Sequence, residues 1–572
     1  MINKEQLSQK PFYLSESDMK WVEKTLESMT LDEKISQLFC LIAYSSDEEY
    51  LKYLSRHLKV GGVMCRTMSK EEVISTVSGL QANSKIPMLI AANLEAGGNG
   101  VCTDGTRLGS QLQVAATDNV EMATRLGEVC GNEGSALGIN WAFSPIIDID
   151  FNFRNPITNT RTFGSDPEKV SKMGKAYVEA IQGKGVAASI KHFPGDGVDE
   201  RDQHLVSSVN DLSCEQWDLT FGHAYQEAID AGAKTVMVGH ILQPAYSRFF
   251  NKDLSDEDIL PASLSYELVT NLLKEKLGFN GLVITDSTTM AGMLIPLSRK
   301  QAVPQAVAAG CDMFLFTKNI EEDFSYMKEG YETGIISKER LHEAVTKILA
   351  LKASLKLHKK LDANELIPKK EEVNRVLRCN EHLQWEKECA DKAITLVKEE
   401  KGVLPINQQR YKKVLVYGIE TELGTMGFGA NEGAVNHFID HLKDRGYEVD
   451  KFKPKPGFEG MLQPYHDIVD KYDLIIYVAN MATKSNQTII RIEWDEPMGV
   501  NVPIYMNDTP TIFISLENPY HLLDVPRVRT YINTYGSSEV VLASLINKLE
   551  GLSSFEGINP VDPFCGKWDT RL

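Results

Sequence analysis

Residues 186–197 read V-A-A-S-I-K-H-F-P-G-D-G, a run of small and apolar residues that ends in a lysine, a histidine and a glycine-containing turn. A continuous apolar run of this kind is typical of a parallel strand that is buried on both faces. Ionisable residues at the end of such a strand belong to a loop, and loops carry function on a rigid scaffold. The stretch therefore predicts a buried strand of an α/β fold with chemistry at its carboxyl end.

Seven further apolar runs have the same character, and helix-like segments separate most of them, such as residues 167–182, where a proline opens an apolar pattern of helical spacing. Alternating β and α elements predict a parallel sheet, and eight repeats favour a closed (β/α)8 barrel of the TIM type over an open sheet. The eight predicted strands lie at 35–43, 60–64, 88–92, 139–147, 186–190, 235–238, 282–284 and 313–316.

The pattern changes beyond residue 356. Residues 357–384 begin with a charged, polar stretch and are expected to form a linker. A helix-like stretch at 385–397 and four apolar runs then predict a parallel sheet with helices on both faces, and those runs lie at 412–418, 473–479, 511–516 and 531–535. The expected architecture is a (β/α)8 barrel at 1–356 and a C-terminal α/β sandwich domain at 385–572. Three glycines at 427–433 favour a flexible turn, because their spacing fits no phosphate-binding motif.

Composition limits the partners and the compartment. The 572 residues include 61 Lys and Arg against 79 Asp and Glu, and the resulting net charge of −18 argues against a nucleic-acid or anionic-membrane partner. Nine scattered cysteines without a C-x-x-C pair indicate a reducing compartment and no zinc module. Neither an N-terminal apolar segment of a signal peptide nor a membrane-length apolar run is present, so we expect a cytoplasmic protein.

Polar side chains follow five successive predicted strands, at the end where a barrel of this type carries its active site. They are Asn93 and Glu95, Asp148 and Asp150, Lys191 and His192, His240, and Asp286. Asp286 comes directly after the run G-L-V-I-T, and its carboxylate is a candidate nucleophile, general base or metal ligand. No complementary set of His, Asp and Glu residues accompanies it in the sequence at the spacing of metal ligands, which makes a metal the weaker option. The structural alternative is a cap of the following helix.

The loop after the fifth strand contains a second candidate, the triplet D-Q-H at 202–204. The Asp202 carboxylate can accept a hydrogen bond from one imidazole nitrogen of His204, which leaves the other nitrogen for proton transfer. A solvent-exposed triplet in a polar loop is the alternative.

These stretches together resemble a known family. K-H-F-P-G-D-G at 191–197, D-Q-H at 202–204 and V-I-T-D-S-T-T-M at 283–290 are similar to motifs of glycoside hydrolase family 3. The resemblance is closest to the bacterial β-N-acetylhexosaminidases. It also covers the stretches M-T-L-D-E-K-I-S-Q-L at 29–38, N-L-E-A-G-G at 93–98 and R-T-F-G-S-D-P at 161–167, and it extends into the second domain.

The resemblance implies a two-step hydrolysis of terminal β-N-acetylhexosaminides that retains configuration and needs no cofactor or metal. Asp286 matches the family's nucleophile, and His204, oriented by Asp202, matches the acid/base of the hexosaminidase branch. Lys191, His192 and Arg161 match residues that hold the sugar hydroxyls, and we add Asn93, Asp196 and His240 as candidates for substrate binding.

Three positions depart from the hexosaminidase pattern. Asp196 replaces a histidine, Asn93 replaces a sugar-binding aspartate, and Gly98 replaces an arginine. An arginine-to-glycine change removes a rigid cationic fork. These departures leave the identity of the sugar open, although Asp286 and His204 still match the family's catalytic residues.

Other functions are compatible with the same residues. A β-glucosidase-like member would need a carboxylic acid/base, for which Glu95 and Glu517 are candidates. A phosphorylase is a further option, because a histidine acid/base does not repel incoming phosphate as a carboxylate would. Outside enzymes, the fold would suit a non-catalytic carbohydrate-binding protein. The second domain is a candidate wall of the active site or surface for a homodimer.

Overall fold

The computed structural model describes residues 2–420, 433–455, 457–482, 485–494 and 496–572, so most of the glycine-rich turn at 427–433 lies outside the described residues. The chain divides into two units. The first comprises Met1–Arg107, Ala123–Ile149 and Pro167–Leu383, and the second comprises Leu108–Met122, Asp150–Asp166 and Gln384–Leu572. Residues 357–383, which the sequence placed in a linker, belong to the first unit, where Leu357 and Val373 of two short helices are buried.

An eight-stranded parallel sheet forms the centre of the first unit, and all eight predicted strands are confirmed. The strands are β1 (Phe39–Ala43), β2 (Gly62–Cys65), β3 (Leu89–Ala92), β4 (Trp141–Ala142), β5 (Ala187–Phe193), β6 (Thr235–Val238), β7 (Leu282–Thr285) and β8 (Phe314–Leu315). Each strand pairs with its sequence neighbour, and β8 pairs with β1. A parallel bridge between Ile284 and Met313 joins β7 to the start of β8, so the sheet closes into the predicted barrel.

Three strands differ clearly from the predicted bounds. The start of the predicted strand at 35–43 belongs to the helix Leu31–Gln37, so β1 begins only at Phe39. Regular pairing in β4 ends at Ala142, because the chain soon reaches Pro145, which has no N–H to donate. The backbone nevertheless stays beside β5, since the Ile147 N–H donates to the Lys191 carbonyl. Strand β5 continues to Phe193, three residues beyond the predicted end. Lys191 and His192 are therefore the last but two and last but one residues of a strand, which fixes their side-chain directions more firmly than a loop would.

Helices surround the barrel in the alternation that the sequence predicts. The helix predicted at 167–182 is confirmed and spans Pro167–Gly183. Further helices of this unit are Lys4–Ser8, Glu16–Ser28, Leu31–Gln37, Glu48–Lys52, Tyr53–Leu58, Lys70–Ala82, Val120–Ala136 from Ala123 onward, Cys214–Trp217, Asp218–Gly222, His223–Asp230, Pro244–Phe250, Glu267–Lys276, Ala291–Leu294, Arg299–Ala309, Ile320–Glu332, Lys338–Ser354, Leu357–Asp362 and Lys370–Val376. Among the described residues, none of the helices is both long enough and apolar enough to cross a bilayer.

The second unit contains a six-stranded mixed sheet. Its strands are β9 (Thr395–Lys398), β10 (Lys413–Glu420), β11 (Glu448–Lys451), β12 (Leu474–Asn480), β13 (Thr511–Ser515) and β14 (Thr530–Asn533), in the order β9-β14-β13-β12-β10-β11. The four predicted strands are parallel to one another, as expected. The sequence analysis missed two edge strands: β11, which pairs parallel with β10, and β9, which pairs antiparallel with β14. The predicted helix at 385–397 therefore lay too far toward the C-terminus: the observed helix, Asn380–Ala393, begins five residues earlier and ends before β9.

Both faces of this sheet are buried, because side chains of the strands other than the edge strand β11 alternate between two apolar clusters. Helices Ala434–Asp444 and Glu539–Leu549 supply apolar residues to one face. The other face carries a row of stacked rings (Tyr417, Tyr477, Phe513 and Tyr531) covered by shorter segments such as helix His466–Val469. The α/β sandwich predicted from the sequence is confirmed, with fewer helical residues on the second face than expected.

Candidate active site

Asp286 directly follows β7, as predicted, at the carboxyl end of the barrel. Its backbone N–H donates to the Val238 carbonyl at 2.7 Å, and its Oδ1 atom accepts a 2.6 Å hydrogen bond from the Ser287 N–H. Burial alone would raise the pKa of this carboxyl, but the nearby imidazoles of His192, His240 and His204, together with the Ser287 N–H, lower the pKa below its ordinary value. Asp286 is therefore an ionised carboxylate at neutral pH.

His192, near the end of β5, lies between two carboxylates. Its Nδ1 atom is 2.7 Å from Asp148 Oδ2, and its Nε2 atom is 3.9 Å from Asp286 Oδ2. Asp148 Oδ1 also accepts hydrogen bonds from the backbone N–H groups of His192 and Asp196, at 3.0 and 2.8 Å. Asp148 thus orients the ring of His192 and anchors the following turn, a role that its place after the fourth strand did not reveal.

Lys191, the neighbour of His192 on β5, forms a largely buried ion pair. Its Nζ atom is 2.8 Å from Oε1 of Glu95, which lies beyond the end of β3. Asn93, also beyond β3, is half-buried. These side chains bring positive and negative charge to one part of the barrel mouth, where a polyhydroxylated ligand would find both donors and acceptors.

The structure brings His204 and Asp202 together as predicted. His204 Nδ1 lies 2.7 Å from Asp202 Oδ1, and the same carboxylate oxygen accepts a 2.8 Å hydrogen bond from the His204 N–H. The Asp202 side chain is fully buried, whereas the His204 side chain is 22 % exposed. No described residue forms a hydrogen bond with His204 Nε2, so this nitrogen is available to a bound molecule.

His240, after β6, is engaged within the protein on both sides of its ring. Its Nδ1 atom lies 2.8 Å from Ser263 Oγ, and its Nε2 atom lies 2.9 Å from the Ser287 carbonyl oxygen. Burial lowers the pKa of this histidine and favours the neutral ring. The neutral ring of His240 donates a hydrogen bond from Nε2 to the Ser287 carbonyl, and it thereby holds Ser287, the neighbour of Asp286, in place.

Asp196, which replaces a histidine of the hexosaminidase motif, is buried beneath its own loop. Its Oδ1 atom accepts a 2.7 Å hydrogen bond from the Gly197 N–H, and its Oδ2 atom faces the Gln203 side-chain amide at 3.5 Å. Sequence reasoning treated Gln203 only as the residue between Asp202 and His204. Gln203 is a buried polar residue inside a polar loop. The sequence alone does not distinguish such a residue from an exposed one.

Gly98 stands where the family motif has an arginine, and a buried carboxylate fills the adjacent space. A Cβ atom on Gly98 would lie only 2.0 Å from Glu133 Oε2. Glu133 is held by hydrogen bonds from the N–H groups of Thr106 (2.8 Å) and Arg378 (3.0 Å), and its Oε1 atom lies 2.8 Å from His382 Nδ1. Position 98 therefore admits no side chain while this network is in place.

Gly98→Ala should destabilise the first unit, because the new methyl group would displace the Glu133 carboxylate from its buried partners. Overpacking of this kind costs about 1–3 kcal/mol, and we expect a clear fall in melting temperature, measured by thermal unfolding. Gly183→Ala is the matched control, since a Cβ atom there has no neighbour within 4 Å. Equal melting temperatures for the two variants would contradict this account of position 98.

The remaining predicted residue, Arg161, lies in the segment Asp150–Asp166 of the second unit, where its N–H donates to the Thr158 carbonyl. In the same unit Asp150 accepts hydrogen bonds from Tyr520 Oη (2.6 Å) and Thr158 Oγ1 (2.7 Å). Burial raises the pKa of Asp150 to about 7 despite these donors. Glu517, a candidate acid/base in the alternative function, is buried and accepts a 2.6 Å hydrogen bond from Ser537.

Comparison with known proteins agrees with the motifs. Residues 30–351 match the model of the N-terminal domain of glycosyl hydrolase family 3. The chain belongs to this family. Over 566 residues, 99 % of this chain and 100 % of its relative, the enzyme is 55 % identical to a β-N-acetylglucosaminidase/β-glucosidase of Cellulomonas fimi. Among the described residues of this family 3 enzyme, no group of three or more His, Cys, Asp and Glu side chains is arranged to hold a metal ion.

Two solved structures resemble this enzyme over all or nearly all of its length. A β-glucoside phosphorylase, BglX, is 43 % identical, with a TM-score of 0.93 and 100 % coverage of both chains. A family 3 β-N-acetylglucosaminidase from Paenibacillus sp. str. FPU-7 has a TM-score of 0.79 at 24 % identity, covering 94 % of this chain and 100 % of its own. The second likeness concerns the fold alone.

Proposed function

We propose that this enzyme releases terminal β-linked N-acetylglucosamine by a two-step mechanism that retains the anomeric configuration. In the first step Asp286 attacks the anomeric carbon, the bond to the leaving oxygen breaks, and a glycosyl ester forms. In the second step a water molecule displaces the Asp286 carboxylate from the same carbon. The lowered pKa of Asp286 supports this role, because the nucleophile must be ionised at the pH of catalysis.

His204 is the proposed acid/base. Its imidazolium donates a proton to the leaving oxygen in the first step, and the neutral ring takes a proton from water in the second. The buried Asp202 carboxylate holds Nδ1, so the partly exposed Nε2 side faces the reacting molecule. The observation that carries the proposal is a contact between the loop that contains His204 and the segment that follows Asp286. The Ala291 N–H, five residues after Asp286, donates to the His204 carbonyl at 3.1 Å.

Residues around this pair are the proposed sugar-binding groups. We assign hydroxyl binding to Lys191 and His192 of β5, to Asn93 beyond β3 and to Asp196 in the loop after β5. Arg161, in the second unit, is assigned this role by the family resemblance alone. Such contacts would strengthen as positive charge develops on the ring in the transition state. The choice of N-acetylglucosamine, with glucose as the second sugar, follows the double name of the relative that is 55 % identical.

Phosphate is a second candidate for the molecule that attacks in the second step. The neutral imidazole of His204 would not repel an incoming phosphate, whereas a carboxylate in its place would. The 43 % identity to a protein named as a phosphorylase favours this alternative specifically. A phosphate oxygen would form a bond to the anomeric carbon while the ester bond to Asp286 breaks, which releases a glycosyl 1-phosphate and restores the free carboxylate. The first step would be the same as in hydrolysis.

Product analysis by ¹H and ³¹P NMR separates the two acceptors. With an aryl β-N-acetylglucosaminide in phosphate-free buffer, we expect the free β-anomer of the sugar as the first product. If water remains the acceptor, added phosphate leaves the product and the rate unchanged. A new ³¹P signal from a glycosyl phosphate, with a rate that rises with phosphate, would establish phosphorolysis instead. First formation of an α-anomer would refute the retaining mechanism.

A further inference from the structure

Gln203, the middle residue of the D-Q-H triplet, is almost completely buried although it lies in a polar loop. Its side-chain Oε1 atom accepts a 2.8 Å hydrogen bond from the His240 N–H, and its Nε2 atom faces Asp196 Oδ2 at 3.5 Å. One side chain therefore connects the loop after β5 with the first residues after β6.

The backbone of the same segment lies against the turn that follows Asp286. The Gly292 N–H donates to the Gln203 carbonyl at 3.2 Å, and Ser207 Oγ donates to the Gly292 carbonyl at 2.8 Å. Together with the hydrogen bond from Ala291 to His204, these contacts attach the loop to the segment beyond β7 at three points.

Two glycines permit this close approach. A Cβ atom on Gly292 would lie 2.5 Å from the Gln203 carbonyl oxygen, and a Cβ atom on Gly239 would lie 3.0 Å from Gln203 Oε1 and 3.2 Å from the Cβ atom of His192. A side chain at either position would displace Gln203 from its buried site. The two glycines therefore leave the space that Gln203 occupies.

We propose that Gln203 is a positioning residue that docks the loop 196–207 onto the barrel and thereby places His204 for proton transfer. This inference rests on the proposed role of His204. The side-chain amide holds the loop through the His240 N–H, and the flanking residues Asp202 and His204 are placed as a consequence. A displacement of about 1 Å in a catalytic group can cost 100-fold in rate, so loss of the amide should impair acid/base catalysis without removing the imidazole.

The test compares leaving groups in Gln203→Met, which keeps the length of the side chain and removes its hydrogen bonds. A 2,4-dinitrophenyl leaving group needs little protonation, whereas a 4-methoxyphenyl leaving group needs the acid. We expect kcat/KM for the methoxyphenyl substrate to fall about 10- to 100-fold and kcat/KM for the dinitrophenyl substrate to fall much less. A variant that had merely lost stability would lose activity equally on both.

Gln81→Met is the matched control. Gln81 is equally buried, and its side chain exchanges hydrogen bonds with the backbone of Met88 at the opposite end of the barrel. It should lower the melting temperature without any dependence on the leaving group. Equal losses for Gln203→Met on both substrates, or none, would overturn the docking role, provided that His204→Ala shows the leaving-group effect. If His204→Ala also lacks that effect, the proposed acid/base itself fails.

Discussion

Asp286→Asn should abolish turnover of β-glycosides, lowering kcat by on the order of 10⁵-fold. The amide has nearly the same size as the carboxylate, but it carries no charge and cannot form the glycosyl ester. Loss of the carboxylate also removes the group that the nearby imidazoles stabilise in its ionised form. Steady-state kinetics with a nitrophenyl β-N-acetylglucosaminide measures the effect, and thermal unfolding establishes that the variant is folded.

A covalent trap provides the second readout of the same prediction. A fluorinated glycosyl fluoride slows the second step, so the wild-type enzyme should carry one sugar on the peptide that contains Asp286. Asp253→Asn is the control, because Asp253 is exposed in the same unit, and this variant should be labelled and active like the wild type. Label on any other residue, or wild-type turnover by Asp286→Asn, would disprove the assignment of the nucleophile.

The barrel was predictable because a buried parallel strand requires a continuous apolar run, and all eight runs became strands of one sheet. The predicted elements were wrong where pairing with a strand that is distant in sequence decides the secondary structure. The segment Thr395–Lys398 continues the pattern of the preceding helix in sequence, yet it pairs with β14, more than 130 residues away. The end of β5 was also misplaced, because Lys191 and His192 do not look like strand residues until their neighbours are known.

The contact between Asp202 and His204 was predictable from a local motif in the sequence. Asp202 and His204 are two residues apart, so their contact needs no knowledge of the rest of the chain. The contacts that surround them join distant segments and were not predictable. Asp148 reaches His192 across 44 residues, and the carboxylate that fills the space at Gly98 comes from Glu133. A single sequence shows residue types along the chain, whereas these contacts depend on which loops meet.

His204→Ala should produce a leaving-group-dependent loss. For substrates with poor leaving groups, we expect kcat/KM to fall about 10²–10⁴-fold, the usual contribution of general acid catalysis. For a 2,4-dinitrophenyl glycoside the first step should remain fast, and the second step should become rate-limiting because no base activates water. Azide, an anion that needs no general base, should then restore turnover and yield a β-glycosyl azide, which retains configuration because Asp286 is still the nucleophile.

His223→Ala is the matched control for this prediction, since His223 is a partly exposed histidine of the same unit that pairs with Glu168 on the barrel surface. It should behave as the wild type with every leaving group and should not respond to azide. If His204→Ala instead lost activity equally with all leaving groups, and azide did not restore turnover, the acid/base would be a different residue. Glu95 would then be the first residue to test, because it lies at the barrel mouth within 2.8 Å of Lys191. A carboxylate in that role would also repel phosphate, so the same result would count against phosphorolysis.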